Sequence, residues 1–365
     1  MKSNEDAVKK IAEKSFIDFS GGFACPISES EYANILLAHG SGGKLTHQLI
    51  EKMFLPQFKN ELLAPLHDGA IFTLGGNRFA FSTDSYVVNP IFFPGGDIGE
   101  LAVNGTVNDL SMCGARPLYL STGFIIEEGL PIDDLWKIVL SMQEAAKRAE
   151  VLLVTGDTKV VDRGKGDKIF INTSGIGIVG DGVDISPKNI RAGDKIIVNG
   201  NIALHGIAIM SVREGLEFET TIESDTAPLN AMVQEMFEAT RNVHVLRDPT
   251  RGGVATTLNE IAEQANLGIV LAEECIPVTD EVRAACEILG LDPLYIANEG
   301  KLLAFVSPED SETLLTAMRR HPLGKDSVVI GEVVEKHPGT VVMKSRIGGT
   351  RVVDMLTGEQ LPRIC

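Results

Sequence analysis

Four aspartates in the first half of the chain stand at the ends of apolar runs or beside turns. They are Asp68 in His-Asp-Gly-Ala, Asp84 in Ser-Thr-Asp-Ser, Asp109 in Val-Asn-Asp-Leu and Asp157 in Thr-Gly-Asp-Thr-Lys. Magnesium takes hard oxygen ligands, usually a few carboxylates completed by substrate phosphates, so such a set suits a magnesium-nucleotide site. A lone aspartate in such a place is more often a cap or turn residue, and the reading rests on the set. The run His39-Gly40-Ser41-Gly42-Gly43-Lys44 offers unobstructed backbone N–H groups just before a predicted helix start, where an anion is favoured. It lacks the Gly-Lys-Ser/Thr ending of a Walker loop and reads equally as an ordinary glycine turn. Lys159, two residues after Asp157, places a cation where it would meet phosphate or simply stay solvated.

The last residue is the other chemical feature. The chain ends Leu361-Pro362-Arg363-Ile364-Cys365, and a thiol on a terminal tail is easier to explain by chemistry than by packing. A free cysteine has a pKa near 8.5, so only a few per cent is thiolate at neutral pH. The adjacent α-carboxylate should raise that value and Arg363 oppose it, so activation is expected from a partner's site. Fully extended, the segment from Gly358 to Cys365 spans at most about 26 to 29 Å. That reach lets the thiol visit a partner and return, with Pro362 stiffening the approach and Ile364 as an apolar anchor.

The elements that must position these groups are mixed. Predicted strands run over 35–38, 70–74, 78–83, 118–126, 151–155 and 168–179, with a Gly75-Gly76-Asn77 hairpin. Helices run through Leu45, Leu49 and Met53, over 99–112, and over 133–149. The second half repeats the mixture, with strands at 195–198, 269–271, 302–306, 328–334, 340–343 and 351–354. Helices there are predicted at 206–213, 227–240, 253–266, 280–289 and 308–321. This is an α/β (α+β) chain of two parts. We expect an extension over 1–32, with an amphipathic helix through Val8, Ile11 and Ile17, then a nucleotide-binding domain over 33–182. A second α/β domain over 183–356 and a flexible tail over 357–365 complete the chain. Arg247-Asp-Pro-Thr-Arg251-Gly-Gly253 joins a strand to a helix, and its arginines suit either phosphate or a locked turn.

Composition excludes several classes. Fifty acidic residues against 33 basic leave a formal charge of −17, which makes nucleic acid and anionic membranes poor partners. The first residues have no apolar core of a signal peptide, and no run approaches a membrane span. Five cysteines, at 25, 113, 275, 286 and 365, are odd in number and contain no CxxC pair. That pattern favours a reducing cytoplasm over a disulfide framework or zinc site. Cys113 and Cys286 fall in predicted helices as small core residues.

Taken in order, these motifs resemble the PurM-like ATP-binding superfamily, which includes aminoimidazole ribonucleotide synthetase and selenophosphate synthetase. Cys25, in Phe-Ala-Cys-Pro-Ile, does not lie in the latter's reactive-cysteine motif. Within the superfamily the chain is similar to the hydrogenase-maturation carbamoyl dehydratases, the HypE family. The glycine loop, Ser82-Thr-Asp-Ser-Tyr86, Phe93-Pro-Gly-Gly96, Asn108-Asp109 and Gly156-Asp-Thr-Lys-Val-Val161 carry the match in the first half. In the second half it is carried by 247–253, Ala297-Asn-Glu-Gly-Lys301, His321-Pro-Leu-Gly-Lys325 and the terminal Pro362-Arg-Ile-Cys365. The nucleotide motifs identify the superfamily, and the tail narrows it.

The resemblance implies that a HypF-type carbamoyltransferase loads Cys365. The chain would then dehydrate the thiocarboxamide to a thiocyanate with ATP and Mg²⁺, and the cyanide would pass through a HypC–HypD complex to the iron of a nickel-iron hydrogenase. Asp68, Asp84, Asp109 and Asp157 would hold metal and nucleotide. Gly40, Gly42, Gly43, Lys44, Asn108, Thr158, Lys159 and Arg251 would complete the ATP site. Glu299 and His205 would transfer protons or orient the thiocarboxamide. Glu299 serves equally as a salt-bridge partner of Lys301 or Arg251, and His205 as a helix cap. One departure is Ala203-Leu204 before His205, where the family has Gly-Asp or a similar polar pair. A homodimer with ATP near its interface is also implied. A small-molecule synthetase or kinase of the same superfamily, or a non-catalytic thiol carrier, would be the alternatives.

Overall fold

The computed structural model describes residues 34–215, 221–358, 361 and 363–365. The expected helix through Val8 to Ile17, Cys25 and Pro362 lie outside these. Two sheets organise the chain. The first has the order β1-β2-β7-β5-β6, built from β1 (Ala70–Leu74), β2 (Asn77–Tyr86), β5 (Ala115–Glu127), β6 (Leu152–Val161) and β7 (Ile169–Val179). Its pairs are antiparallel except β5 with β6, which helix α3 (Ile132–Arg148) joins by a crossover. A small ribbon, β3 (Phe92–Phe93) with β4 (Gly96–Asp97), leads into helix α2 (Ile98–Met112). The Asp97 carboxylate accepts the Gly99 and Glu100 N–H groups there, an N-cap that starts the helix.

Alternation fixes which face of the first sheet is covered. On β7, residues 169, 171, 173, 175, 177 and 179 are buried while those between are partly or fully exposed. α2 packs against β2, β7 and β5 on the buried side. The other side is open: Phe81, Ile176, Tyr119 and Leu152 form an apolar row across four strands that no element among the described residues covers. Edge strand β6 is exposed along nearly its whole length.

The second sheet runs β14-β13-β10-β12-β8-β11-β9. Its strands are β8 (Lys195–Val198), β9 (Val243–Arg247), β10 (Gly268–Ala272), β11 (Leu303–Val306), β12 (Val328–Val334), β13 (Val341–Lys344) and β14 (Thr350–Val353). Ile196, Val198, Leu303 and Phe305 point into a core shared with α4 (Leu204–Arg213), α6 (Gly253–Ala265) and α7 (Asp280–Leu289). Ile197, Leu246 and Ala304 point the other way, toward α5 (Asn230–Ala239) and α8 (Ser311–Arg320). That second core continues without a break into the first half through α2, which also touches β9 and α5.

The short strand expected at 35–38 is instead a 3₁₀ turn, Leu37–Gly40. Its apolar residues lie exposed at the surface, and the His39 ring Nδ1 accepts the Leu36 N–H at 3.0 Å to close the turn locally. Helix α1 (Lys44–Leu49) follows, running on through a π turn to Phe58.

Candidate active site

α2 lies between the two halves, and a helical step of 100° sends its neighbouring polar residues to different places. Asp109 faces a cleft of about 330 Å³ between the halves, where it meets Asp68, Asp84, Asp248, Gly42 and Arg251. Asn108 does not enter that cleft. Its amide donates to the carbonyls of Ala227 (3.1 Å) and Glu299 (3.2 Å), and its oxygen accepts the Leu229 N–H (2.8 Å). Every strong donor and acceptor of the side chain is spent tying the halves together, so Asn108 positions the site from behind.

The cleft concentrates negative charge. Burial, then Asp248, Asp84 and Asp68, push the Asp109 carboxyl well above its usual range, although Ser82 donates to it at 2.8 Å. Burial also raises Asp84 against the pull of Arg251. Asp248 is pushed up to about 8 by burial and Asp68. Asp68 Oδ2 is buried without a hydrogen-bond partner, while its Oδ1 lies 2.7 Å from Arg247 Nε. Arg247 reaches from β9 to grip Glu260 on α6 as well, at 2.9 Å. Sequence reading had located this Arg-Asp pair in its motif. It had no signal that Arg247 meets an aspartate of the other half, or that Asp248 joins the acidic set.

The glycine loop serves chiefly as a point of close approach. A Cβ on Gly43 would sit 2.4 Å from the Leu356 carbonyl, and one on Gly42 would strike Arg251. The Lys44 N–H is taken by the Leu356 carbonyl (3.0 Å) and the Gly42 N–H by Thr46 Oγ1 (3.0 Å). The Lys44 ammonium pairs with Asp354 at the surface and does not line the cleft. Gly40 gives its carbonyl to Arg251 Nη1 (3.0 Å).

Asp157, Thr158 and Lys159 are not brought to the cleft by this chain. Asp157 pairs across the sheet with Gly123, Gly123 with Asn172 and Asn172 with Ser85. That row faces the open side of the sheet, and three strand spacings, roughly 14 Å, separate Asp157 from Ser85. Asp157 and Lys159 are exposed there and paired with each other.

The tail ends inside the molecule. Cys365 lines a second cavity of about 320 Å³, and Arg251 stands in the wall common to both cavities. Burial, then Glu299, push the Cys365 thiol well up, against the pull of Arg251. Glu299 stands within hydrogen-bonding reach of the thiol, and its Oε1 is buried without a partner. Burial, then Asp84, Asp248 and Asp225, raise its carboxyl well above the usual range. The pair once open to it, Lys301, takes Asp225 instead at 3.2 Å.

His205 is wholly buried at the start of α4. Its Nε2 donates to the Ile364 carbonyl (2.7 Å), so Nδ1 accepts from the Ser224 hydroxyl (2.8 Å), and burial holds the ring below its ordinary pKa. With both nitrogens engaged, it orients the tail. Ala203 before it is left-handed (φ 71°), a conformation that suits glycine better.

These features agree with what the chain is similar to. Residues 66–179 match the AIR synthase related protein N-terminal domain and residues 191–344 its C-terminal domain. The chain is 54% identical over 330 residues to carbamoyl dehydratase HypE of Cupriavidus necator, covering 90% of this chain and 94% of that one. The chain belongs to the HypE family of carbamoyl dehydratases. Among solved HypE structures, one in complex with ATP is 51% identical with a TM-score of 0.77, covering 91% of this chain and 100% of that one. The crystal structure of a HypE–HypF complex gives 49% identity and a TM-score of 0.81, covering 84% of this chain and 99% of that one. The two-part PurM-like architecture that the HypE-type motifs imply is the one observed.

The acidic cleft has a measurable cost. A carboxyl whose native pKa stands above its unfolded value near 4 holds its proton more tightly in the native state, so it opposes folding increasingly as pH climbs from about 4 toward 8. Asp248 is such a group. Asp248→Asn should raise the melting temperature at pH 8 by about 3 °C or more, with little gain near pH 4. A lower melting temperature at pH 8 in scanning calorimetry would count against this account.

Proposed function

We propose that this chain dehydrates a carbamoyl group carried as a thiocarboxamide on its own Cys365, giving a thiocyanate whose cyanide serves the iron of a nickel-iron hydrogenase. ATP supplies the phosphoryl group that turns the amide oxygen into a good leaving group. The observation that carries the reading is the seat of the thiol, against Glu299 and Arg251 and one wall away from the acidic cleft. Neither a thiol carrier nor a kinase of free small molecules needs that arrangement.

Each residue then has work to do. Arg251 balances charge at the boundary between the reacting group and the nucleotide cleft. The carbamoyl nitrogen gives up one proton as its oxygen is phosphorylated and the other as phosphate departs; Glu299 accepts the latter, and its raised affinity for protons suits a general base. The Asp84 and Asp248 charges contribute to that rise, so a cation in the cleft would bring it down toward neutrality.

Magnesium fits this cleft as a companion of ATP. Asp68, with its orphaned Oδ2, and Asp84, Asp109 and Asp248 are the residues that would hold it. Among the described residues no three His, Cys, Asp or Glu groups converge to hold a bare ion, so phosphate and water must complete the shell, as is usual for magnesium.

A HypF-type carbamoyltransferase would load the thiol and a HypC–HypD complex would accept the cyanide. A reducing cytoplasm suits Cys113, Cys275, Cys286 and Cys365, all free thiols. The open face of the first sheet supports a homodimer. Asp157, Thr158 and Lys159 lie on edge strand β6 of that sheet, so the dimer would carry them to an interface near the nucleotide of a second copy.

Four measurements test the reading. Intact mass after incubation with the carbamoyltransferase, carbamoyl phosphate and ATP should show Cys365 gain about 43 Da and then lose about 18 Da. Cys365→Ala should show neither change yet still bind ATP, and a variant that also lost ATP binding would overturn the division between arm and site. Glu299→Gln should load normally but dehydrate about 100-fold or more slowly, so unchanged turnover would exclude it as the base. Tyr119→Glu, in the apolar row, should move the sedimenting species from two chains to one.

A further inference from the structure

The body of the protein grips the tail by its main chain. Val87 donates to the Cys365 carbonyl (3.0 Å) and Asn89 to the Arg363 carbonyl (3.2 Å), with Ile364 bridged antiparallel to Val88. Helix α4 reads two successive tail carbonyls from its two ends. His205, in its first turn, takes that of Ile364, and Arg213, its last residue, takes that of Arg363. The Arg213 Nε also donates to the Asn89 carbonyl, so one guanidinium spans body and tail. The Arg363 side chain turns onto Asp167 in the β6–β7 loop, Nη1 to Oδ2 at 2.5 Å.

Two further observations show that this grip works against opposition. Arg363 has φ 50°, a left-handed backbone that an arginine on a free tail rarely adopts. The two guanidinium groups of Arg213 and Arg363 also repel, while Asp167 acts in the opposite sense on Arg213. Asp167 therefore neutralises a contact that would otherwise expel the tail.

We propose that Arg213 and Asp167 form the catch that seats the substrate tail, holding Arg363 from two sides so that Cys365 reaches Arg251 and Glu299. They are positioning residues, touching neither thiol nor nucleotide cleft. The proposal rests on the reading of Cys365 as the substrate-bearing residue, but its first test does not. A charge-assisted contact to a tail that must also leave sets how the thiol divides its time between the cleft and a partner. The catch thus has opposite effects on the two halves of the cycle. Loosening it should slow dehydration and leave loading as fast or faster.

Timed alkylation of Cys365 by iodoacetamide at pH 8, followed on the C-terminal peptide by mass, reads the seated fraction of the full-length protein. Asp167→Asn leaves two arginines face to face and should speed alkylation about tenfold, as should Arg213→Gln. Adding Arg363→Gln to Asp167→Asn removes the repulsion and should bring the rate back to within about threefold of the original. In turnover, Asp167→Asn should lower kcat for dehydration with the KM for ATP unchanged, and loading should not slow. Melting within about a degree of the parent shows that the fold is intact. Unchanged alkylation in both single variants, or a double variant as fast as Asp167→Asn alone, would overturn the catch. Alkylation that shifts as expected in a protein that never gains carbamoyl mass would sink the functional reading and leave the catch standing.

Discussion

The amide of Asn108 holds the site together. It is buried on a helix pressed between a sheet and the other half of the molecule, and all three of its close bonds cross that boundary. A buried amide stripped of partners costs on the order of 1–3 kcal/mol, so this geometry resists sliding of one half over the other. Its consequences run in both directions along the chain. Asp109, next to it, is aimed into the cleft, and the main chain of Glu299 is fixed beside the thiol. The acidic cleft and the thiol seat therefore keep a constant separation, which a reaction between a nucleotide and a group on Cys365 requires.

Electrostatics sets what that frame must tolerate. Burial lifts Asp84, Asp109, Asp248 and Glu299 most; Asp84 and Asp248 then raise both Asp109 and Glu299, and Asp84 raises Asp248 as well. Among the described residues the guanidinium groups that answer from within the cleft are Arg247, at the end of β9, and Arg251, in the turn that follows. Arg247 is committed to Asp68 and Glu260, which leaves Arg251 to serve the boundary. An acidic site with one uncommitted guanidinium is poor at holding a bare phosphate and well matched to phosphate accompanied by a cation. The fold sustains this concentration of like charge because the two surrounding cores, one of them continuous through α2, are large and apolar.

Much of this was legible in the residues. Hydrophobic period located most strands and helices, and the Gly75-Gly76 hairpin pairs Leu74 with Asn77 as its turn signal implies. Asp68, Asp84, Asp109 and Arg251 do meet in one cleft. What could not be read was direction. Nothing in Asn108-Asp109 says which residue faces the cleft, since that depends on where the second half sits against α2. Lys44 follows a glycine loop that looks made for phosphate, yet Asp354, 310 residues later, claims its ammonium. The strand at 35–38 failed because an apolar tetrapeptide with no neighbouring edge has nothing to pair with, and a histidine nitrogen closed it into a turn instead. The misses at Asn108 and Lys44 concern contacts between residues far apart in sequence, which local pattern does not encode.

On the proposed function, the seat of the tail gives a physical reason for two proteins to share the labour on one thiol. Nucleophilic attack on a carbamoyl donor needs thiolate, and the seat suppresses it, since burial and Glu299 push the Cys365 thiol well up. Once carbamoylated, the sulfur has no proton to lose and no charge to desolvate, so the surroundings that disfavour the reactive thiolate accept the loaded group without the cost of burying a charge. On that reading loading would be favoured with the tail out and dehydration with it in, an order set by burial together with the Glu299 charge. A permanently seated tail would never be loaded, and a permanently free one would never meet Glu299. The left-handed backbone at Arg363 and the paired guanidinium groups keep the seated state shallow enough to be left, and Asp167 keeps it deep enough to be used.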